Sequence, residues 1–267
     1  MQDPINSIIV FVVMCASAAF GFFMNARLPE THRSQQSIAL VQLMITLLVT
    51  FTAIVLGLLT TSVKAGFDAA YNARGEDAAQ LAQLDRCLRD YGPETAPIRE
   101  QLRGYVAAVI ASTWPNEPRP TGVSYPNPAE MPLTGESPVL SDILSDVGLA
   151  LRSLKPADAV HERLLADCDQ QYGEVMKARW KVVEGAGGSI APPFYWVMVV
   201  WLAILFGAFG LTARPNPMVA TVMVLCAFSI TVAVFVILDM DEPYGGLFGV
   251  PSTAMRNALA DMSRPGG

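Results

Sequence analysis

Four stretches of the sequence contain no charged residue, and they constrain the fold more than any other feature. They are residues 7–24, 38–59, 194–211 and 219–238. About 20 residues of α-helix cross a hydrocarbon core about 30 Å thick, so each stretch is long enough to span a membrane. Backbone N–H and C=O groups in lipid must form hydrogen bonds within the protein. The sequence therefore predicts an all-α membrane protein with four transmembrane helices.

The first stretch has to be distinguished from a secretory signal. Such a signal usually begins with a positively charged segment and has a shorter apolar run. The residues before position 8 include Asp3 and contain no Lys or Arg. We therefore expect residues 7–24 to form the first transmembrane helix.

A long polar segment separates the second and third apolar stretches. Apolar residues recur there at helical spacing in four places, which predicts a small helical bundle. Tyr91-Gly92-Pro93 is expected to end the first of these helices, and Pro156 to begin the fourth. Dense prolines predict a long loop over residues 114–138. The expected domains are 1–62 (first transmembrane pair), 63–193 (extramembrane bundle with that loop), 194–238 (second transmembrane pair) and 239–267 (acidic turn and short amphipathic tail).

Charged residues near the four helices bear on orientation. Arg27 and Arg33 lie in the first short connector, and Arg214 lies in the second. Short connectors that carry Lys and Arg usually face the cytoplasm. This rule places the bundle and both termini outside the cytoplasm, in a multi-pass protein of the cell (inner) membrane. Lys64 and the basic residues within 177–181 lie on the bundle side and favour the opposite orientation.

Polar residues recur on the second transmembrane helix. Gln42, Thr46 and Thr50 are spaced by four residues, which keeps them on one helical face. Such a face can line a water-filled path, which makes these three residues pore-lining candidates. It can equally form hydrogen bonds across a helix interface.

Acidic residues follow the fourth transmembrane helix. Asp239, Asp241 and Glu242 lie where the negative end of the helix dipole makes further negative charge unfavourable. The cost is only a few tenths of a kcal/mol, so a solvated helix end explains them. They are also candidates for a cation site or for the acidic mouth of a pore.

Two of the four cysteines lie in the polar segment. If the bundle faces an oxidising compartment, Cys87 and Cys168 could form a disulfide between its first and fourth helices. Otherwise they serve as small buried apolar residues. Their spacing is not that of metal ligands, and we expect neither a metal nor another cofactor.

Enzymatic function is not supported by any complete motif. The sequence lacks a Gly-x-Ser-x-Gly pattern, and the pair His161-Glu162 is not followed by a second histidine. A catalytic site needs several groups in defined roles, so we expect no catalytic residues. The formal net charge of −6 argues against a nucleic-acid partner, which requires a basic surface.

Three fragments, taken together and in order, resemble the bestrophin-like membrane family. The first combines Arg27, Pro29 and His32, the second is Tyr91-Gly92-Pro93, and the third is Asp241-x-Pro243-Tyr244-x-Gly246. The resemblance covers nearly the whole chain and implies two helices, a helical extramembrane domain and two further helices. This layout is similar to true bestrophins, which are oligomeric anion channels with a cytoplasmic domain. That orientation is opposite to the one that the connector charges indicate.

The expected function is therefore a homo-oligomeric, bestrophin-like ion channel or pore in a lipid bilayer. A ring of acids at its mouth favours cations, unlike the anion flow that the resemblance implies. The alternative is a membrane-anchored helical interaction module, or an accessory subunit of another membrane protein. The size of the purified protein distinguishes the two, since four helices in a single copy are too few to enclose a path.

Overall fold

A computed structural model describes residues 3–27, 35–128, 131, 137–187, 192–213 and 216–264. Pro29, His32, Arg33 and Arg214 lie outside these ranges. Regular structure in the described residues is helical. The α-helices are α1 Asp3–Arg27, α2 Gln35–Tyr91, α3 Ala96–Thr113, α4 Pro138–Ser153, α5 Ala159–Gly185, α6 Pro192–Thr212, α7 Pro217–Asp241 and α8 Thr253–Met262.

The helices α1, α2, α6 and α7 are long and apolar enough to cross a membrane. Each contains one of the four uncharged stretches of the sequence. The prediction of an all-α membrane protein with four transmembrane helices is therefore confirmed.

The chain forms two compact units. The membrane unit comprises Met1–Gly66 and Gly188–Asp241, and the extramembrane unit comprises Phe67–Gly187 and Glu242–Gly267. Helix α2 contributes its first part to the membrane unit and its second part to the extramembrane unit. Most of the predicted tail segment 239–267, namely Glu242–Gly267, belongs to the extramembrane unit.

The core of the membrane unit joins α1, α6 and α7. Its buried residues include Val10, Met14, Leu202, Phe206 and Ala227. Small residues allow α1 and α6 to approach closely: a Cβ atom added at Gly210 would lie 2.2 Å from the carbonyl oxygen of Ala18. Close backbone approach through small residues is a common way to associate helices in lipid.

The core of the extramembrane unit is a helical bundle with α8 packed against it. The second part of α2 and helices α3, α4, α5 and α8 all contribute fully buried side chains. The largest of these side chains are Leu81, Leu84, Leu88, Leu102, Tyr105, Ile110, Leu144, Leu151, Met255 and Met262. The predicted bundle helices are thus present, and the amphipathic tail is part of the same core.

Two helix ends show how the local sequence sets the bundle. Helix α2 ends before Gly92, whose φ of +132° lies in the left-handed region that favours glycine. The prediction that Pro156 begins the fourth bundle helix is wrong. That helix, α5, begins at Ala159 because the carboxylate of Asp158 accepts hydrogen bonds from the backbone N–H groups of Val160 and His161, both at 2.9 Å.

Candidate functional site

The predicted polar face of the second transmembrane helix is exposed in the monomer. Gln42, Thr46 and Thr50 are all solvent-accessible on α2. A narrow adjoining face of the helix is buried: Ile45 is 9% exposed and Val63 is 2% exposed. The three candidates therefore point away from the packed side of α2.

Further exposed residues continue this face of α2 beyond the three pore-lining candidates. With 3.6 residues per turn, steps of three or four residues return to the same side of a helix. Gly57, Thr60, Thr61 and Lys64 follow Thr50 on this side, and all four are exposed. The same spacing was available in the sequence as a signal for them. We define the polar stripe as Gln42, Thr46, Thr50, Gly57, Thr60, Thr61 and Lys64.

Threonine hydroxyls of the stripe donate hydrogen bonds to the backbone of their own helix. Thr46 donates to the carbonyl of Gln42 and Thr50 to that of Thr46, both at 2.9 Å. These bonds reduce the cost of placing a hydroxyl in lipid but leave the oxygen able to accept further bonds. Within the described part of the chain, the Gln42 amide has no hydrogen-bond partner. Moving a primary amide from water into lipid without a hydrogen-bond partner costs several kcal/mol. Transfer to a solvent that cannot form hydrogen bonds costs about 4–8 kcal/mol.

The three acidic candidates near the end of α7 differ in burial. Asp239 is 3% exposed, Asp241 is half-buried and Glu242 is exposed. Asp239 and Asp241 each have an interaction partner. Of the three, Glu242 has the carboxylate most accessible to a passing ion.

Cys87 and Cys168 form a disulfide in the structure. Their sulfur atoms lie 2.01 Å apart and their Cα atoms 5.6 Å apart. The bond joins α2 to α5 inside the bundle, where Cys168 is fully buried. The free cysteines, Cys15 and Cys226, lie on α1 and α7.

Residues of the family fragments hold the extramembrane unit together. Tyr91 is buried, with its ring edge-on to His161 at 5.3 Å. In the tail, the backbone N–H of Val250 donates to the carbonyl of Pro243 at 2.7 Å. The indole N–H of Trp114 donates to the carbonyl of Val250 at 2.8 Å. These contacts attach the segment before α8 to the bundle.

Arg27, which belongs to the first fragment, is the last residue of α1. Its guanidinium lies 4.2 Å from the centre of the Phe23 ring. Pro29 and His32 lie outside the described residues, so the first fragment is placed only in part.

A model of the bestrophin-like domain matches residues 10–255, which is most of the sequence. The chain belongs to the bestrophin-like family. The bestrophin-like chain is also similar in fold to a bacterial Bestrophin homolog from Klebsiella pneumoniae, with a TM-score of 0.68 and 16% sequence identity. That match covers 97% of this chain and 99% of the homolog. A variant of the same homolog matches with a TM-score of 0.65 and 16% identity, over 99% of this chain and 100% of the homolog.

A comparison with curated proteins gives no match for this bestrophin-like chain. At 16% identity, the structural likeness establishes the fold alone. The family and the fold thus agree with the resemblance seen in the sequence, and a function has to be argued from the chain's own residues.

Proposed function

We propose that this protein is a homo-oligomeric ion channel in which copies of α2 surround the ion path. The observation that carries the proposal is the polar stripe, which is exposed along a helix that is otherwise suited to lipid. Membership of the bestrophin-like family supports the same function.

The stripe needs a polar environment, and a second copy or a water-filled path supplies one. Polar side chains in transmembrane segments usually face the interior of a bundle or a water-filled cavity rather than lipid. Within one chain, α1, α6 and α7 form the packed core of the membrane unit. Within the described residues of a single membrane unit, this side of α2 is therefore left uncovered.

A closed ring of copies places equivalent residues around one axis. Cyclic symmetry is the usual way for identical subunits to enclose a path. In such a ring, Gln42, Thr46 and Thr50 from every copy face the path, and their oxygens replace part of the hydration shell of an ion. Exposed apolar residues beside the stripe, such as Leu43 and Leu47, then contact the neighbouring copy.

The acidic turn contributes charge at one mouth of the path. Glu242 is exposed, and Asp241 is half-buried next to it. A ring of carboxylates favours cations through their negative potential. We therefore expect the channel to prefer cations, in contrast to the anion flow of true bestrophins.

For orientation, we propose that the extramembrane unit lies on the non-cytoplasmic side of the cell (inner) membrane. The connector charges support this orientation, and so does the Cys87–Cys168 disulfide, because disulfides persist in oxidising compartments. A cysteine at the exposed position Ser124 tests it. A membrane-impermeant maleimide added to intact cells should label Ser124→Cys; labelling only after lysis would contradict this orientation.

The channel itself is tested first by size and then by accessibility. Protein purified in detergent should be a homo-oligomer, whereas a monomer would contradict the channel and favour the membrane-anchored interaction module. In liposomes, a charged thiol reagent should block ion flux through Thr50→Cys. Phe51→Cys is the matched control, because the side chain at position 51 lies about 100° around the helix from that at position 50. Equal block of both variants, or of neither, would remove α2 as the lining helix.

A further inference from the structure

A cavity in the extramembrane unit is lined by buried ionic side chains. It lies between α2, α3 and α5 and has a volume of about 50 Å³. Arg74 and Asp77 line it from α2, Tyr105 from α3 and Arg179 from α5. A single water needs about 10–15 Å³ of such space. The cavity is therefore large enough for a small polyatomic molecule and too small for a sugar or a nucleotide.

The ionic groups of this cavity are almost completely withdrawn from solvent. Arg74 is 7% exposed, Asp77 is 1% exposed and Arg179 is 5% exposed. One hydrogen bond of 3.2 Å joins Nη1 of Arg74 to Oδ2 of Asp77. Buried charges are costly unless their geometry is good and their remaining donors and acceptors are satisfied. A single long contact satisfies only part of this pair.

Two polar atoms of the pair have no hydrogen-bond partner. They are Nε of Arg74, a donor, and Oδ1 of Asp77, which accepts when the carboxyl is ionised. Leaving such an atom buried and unsatisfied costs about 1–3 kcal/mol, and more when the group is charged. Both residues line the same cavity. The two atoms without a partner thus belong to side chains in the wall of one cavity.

Arg74 is held in place by aromatic rings. Its guanidinium carbon lies 4.9 Å from the centre of the Tyr244 ring and 5.5 Å from that of Trp114. The two rings meet edge to face at 6.3 Å. Cation–π contacts of this kind restrict the position of the guanidinium. The guanidinium is therefore positioned before any ligand arrives.

We propose that this cavity is a binding site for a small oxyanion, held by the guanidinium of Arg74 and by a hydrogen bond shared with the carboxyl of Asp77. One oxygen of the anion accepts a hydrogen bond from the guanidinium. A second oxygen lies against the Asp77 carboxyl, and a single proton between them forms the shared bond.

The shared proton can come from either side. An oxyanion with a hydroxyl group, such as hydrogen phosphate, donates its own proton to Asp77. For an oxyanion without one, such as formate, Asp77 supplies the proton. Burial raises the pKa of the Asp77 carboxyl above its usual 3.8, although the charge of Arg74 acts in the opposite direction. Burial therefore favours the protonated carboxyl that formate requires. A halide has one centre and cannot bridge the guanidinium and the carboxyl as an oxyanion does.

The inference does not depend on the proposed channel. The cavity and its ligand atoms lie within the extramembrane unit, so binding can be measured on protein that conducts no ion. An experiment that contradicts the channel therefore does not contradict the anion site, and the reverse also holds.

Binding is tested on the full chain purified in detergent, with gluconate as the bulky background anion. Formate, inorganic phosphate and chloride are titrated separately while thermal unfolding and tryptophan fluorescence are followed. Trp114 lies against Arg74 and should report occupancy, and Trp114→Phe identifies its share of the signal. We expect saturable stabilisation by formate or phosphate, and a weaker effect of chloride.

Three variants locate the binding. Arg74→Gln removes the donor, and Val109→Met fills the cavity while leaving Arg74 and Asp77 in place. Both should raise the half-saturating concentration of formate or phosphate at least tenfold. Arg152→Gln is the matched control, because Arg152 also pairs with an aspartate and lies over a tyrosine ring, but at the surface.

The outcomes separate the alternatives. If Arg74→Gln does not fold, Val109→Met still decides. Absence of a saturable response to both oxyanions would mean that water fills the cavity. A response that Val109→Met leaves unchanged would place the anion elsewhere. Either result overturns the proposal.

Discussion

Thr50 and Thr52 lie two residues apart on α2 and differ completely in exposure. Both hydroxyls donate to the backbone carbonyl four residues earlier, at 2.9 Å for Thr50 and 2.8 Å for Thr52. Thr50 is exposed, whereas Thr52 is 8% exposed. Two residues advance a helix by about 200°, so identical side chains with identical local bonding face opposite environments.

This pair gives a matched test of the ion path. Thr50→Val removes an oxygen from the polar stripe and should change ion flux in liposomes at least about twofold, since lining oxygens replace water around the ion. Thr52→Val makes the same chemical change on the buried side and should leave flux near the wild-type value. Equal effects of the two substitutions would show that the stripe does not line the path.

Alanine substitutions at Gly92 and Gly75 compare the backbone conformation at the end of α2 with that inside the helix. A Cβ atom would meet nothing within 4 Å at either glycine, so steric clashes do not contribute. Because Gly92 has a φ of +132°, Gly92→Ala should destabilise the protein by about 1–3 kcal/mol. Gly75 lies inside the helix, where Gly75→Ala should stabilise by about 1 kcal/mol. Thermal unfolding in detergent measures both, and a stable Gly92→Ala variant would contradict the left-handed assignment.

The disulfide between Cys87 and Cys168 should contribute measurably to the stability of the protein. The bond closes a sequence separation of 81 residues, which strongly restricts the unfolded chain. Replacing both cysteines by serine should lower stability by about 2–4 kcal/mol. Reductant should lower the unfolding temperature of the wild type and leave that of the double variant unchanged. A reductant effect on both proteins would show that it acts elsewhere.

The sequence predicts the features whose cause is local. Four uncharged stretches give four membrane helices because length and composition alone determine them. The stripe around Thr46 follows from spacing on one helix. Apolar residues such as Leu84, Leu88 and Leu102 mark the bundle for the same reason.

Other features depend on parts of the chain that are distant in sequence. The predicted domain boundary near residue 63 is close to Gly66, where the membrane unit ends, but the sequence did not indicate that one helix, α2, continues through this boundary to Tyr91. Gly66 and Gly75 each cost a helix only about 1 kcal/mol, which is too little to interrupt it. Arg74 and Asp77 were not among the residues that the sequence indicated. Their burial arises from packing against α3 and α5, which no local pattern reveals.

Asp85 is the centre of an ionic cluster that fastens α3 to α2. The Arg99 Nε–H and Nη2–H groups donate to it at 2.8 and 3.1 Å, and Arg89 donates at 2.9 Å. Asp85 is 1% exposed, but its partners are partly exposed, so we expect Asp85→Asn to cost about 2–3 kcal/mol, somewhat below a fully buried pair. Asp169→Asn is the control: its exposed pair with Arg152 should contribute at most about 1 kcal/mol. Chemical denaturation of both variants measures the difference, and similar losses would contradict the role of burial.

The buried carboxyl of Asp77 should make the stability of the protein depend on pH. Its burial raises the pKa of the carboxyl above 3.8, with Arg74 and then Arg179 acting in the opposite direction. The folded protein therefore binds the proton more tightly than the unfolded chain does. The resulting stability is fully present below pH 3.8 and is lost as the pH rises through the folded-state pKa. Asp77→Asn cannot titrate, so the unfolding free energy of the wild type minus that of the variant should fall as the pH rises from 3.8. Unfolding measured in oxyanion-free buffer checks this slope, and a difference that rises with pH would show that the arginines, rather than burial, dominate at Asp77.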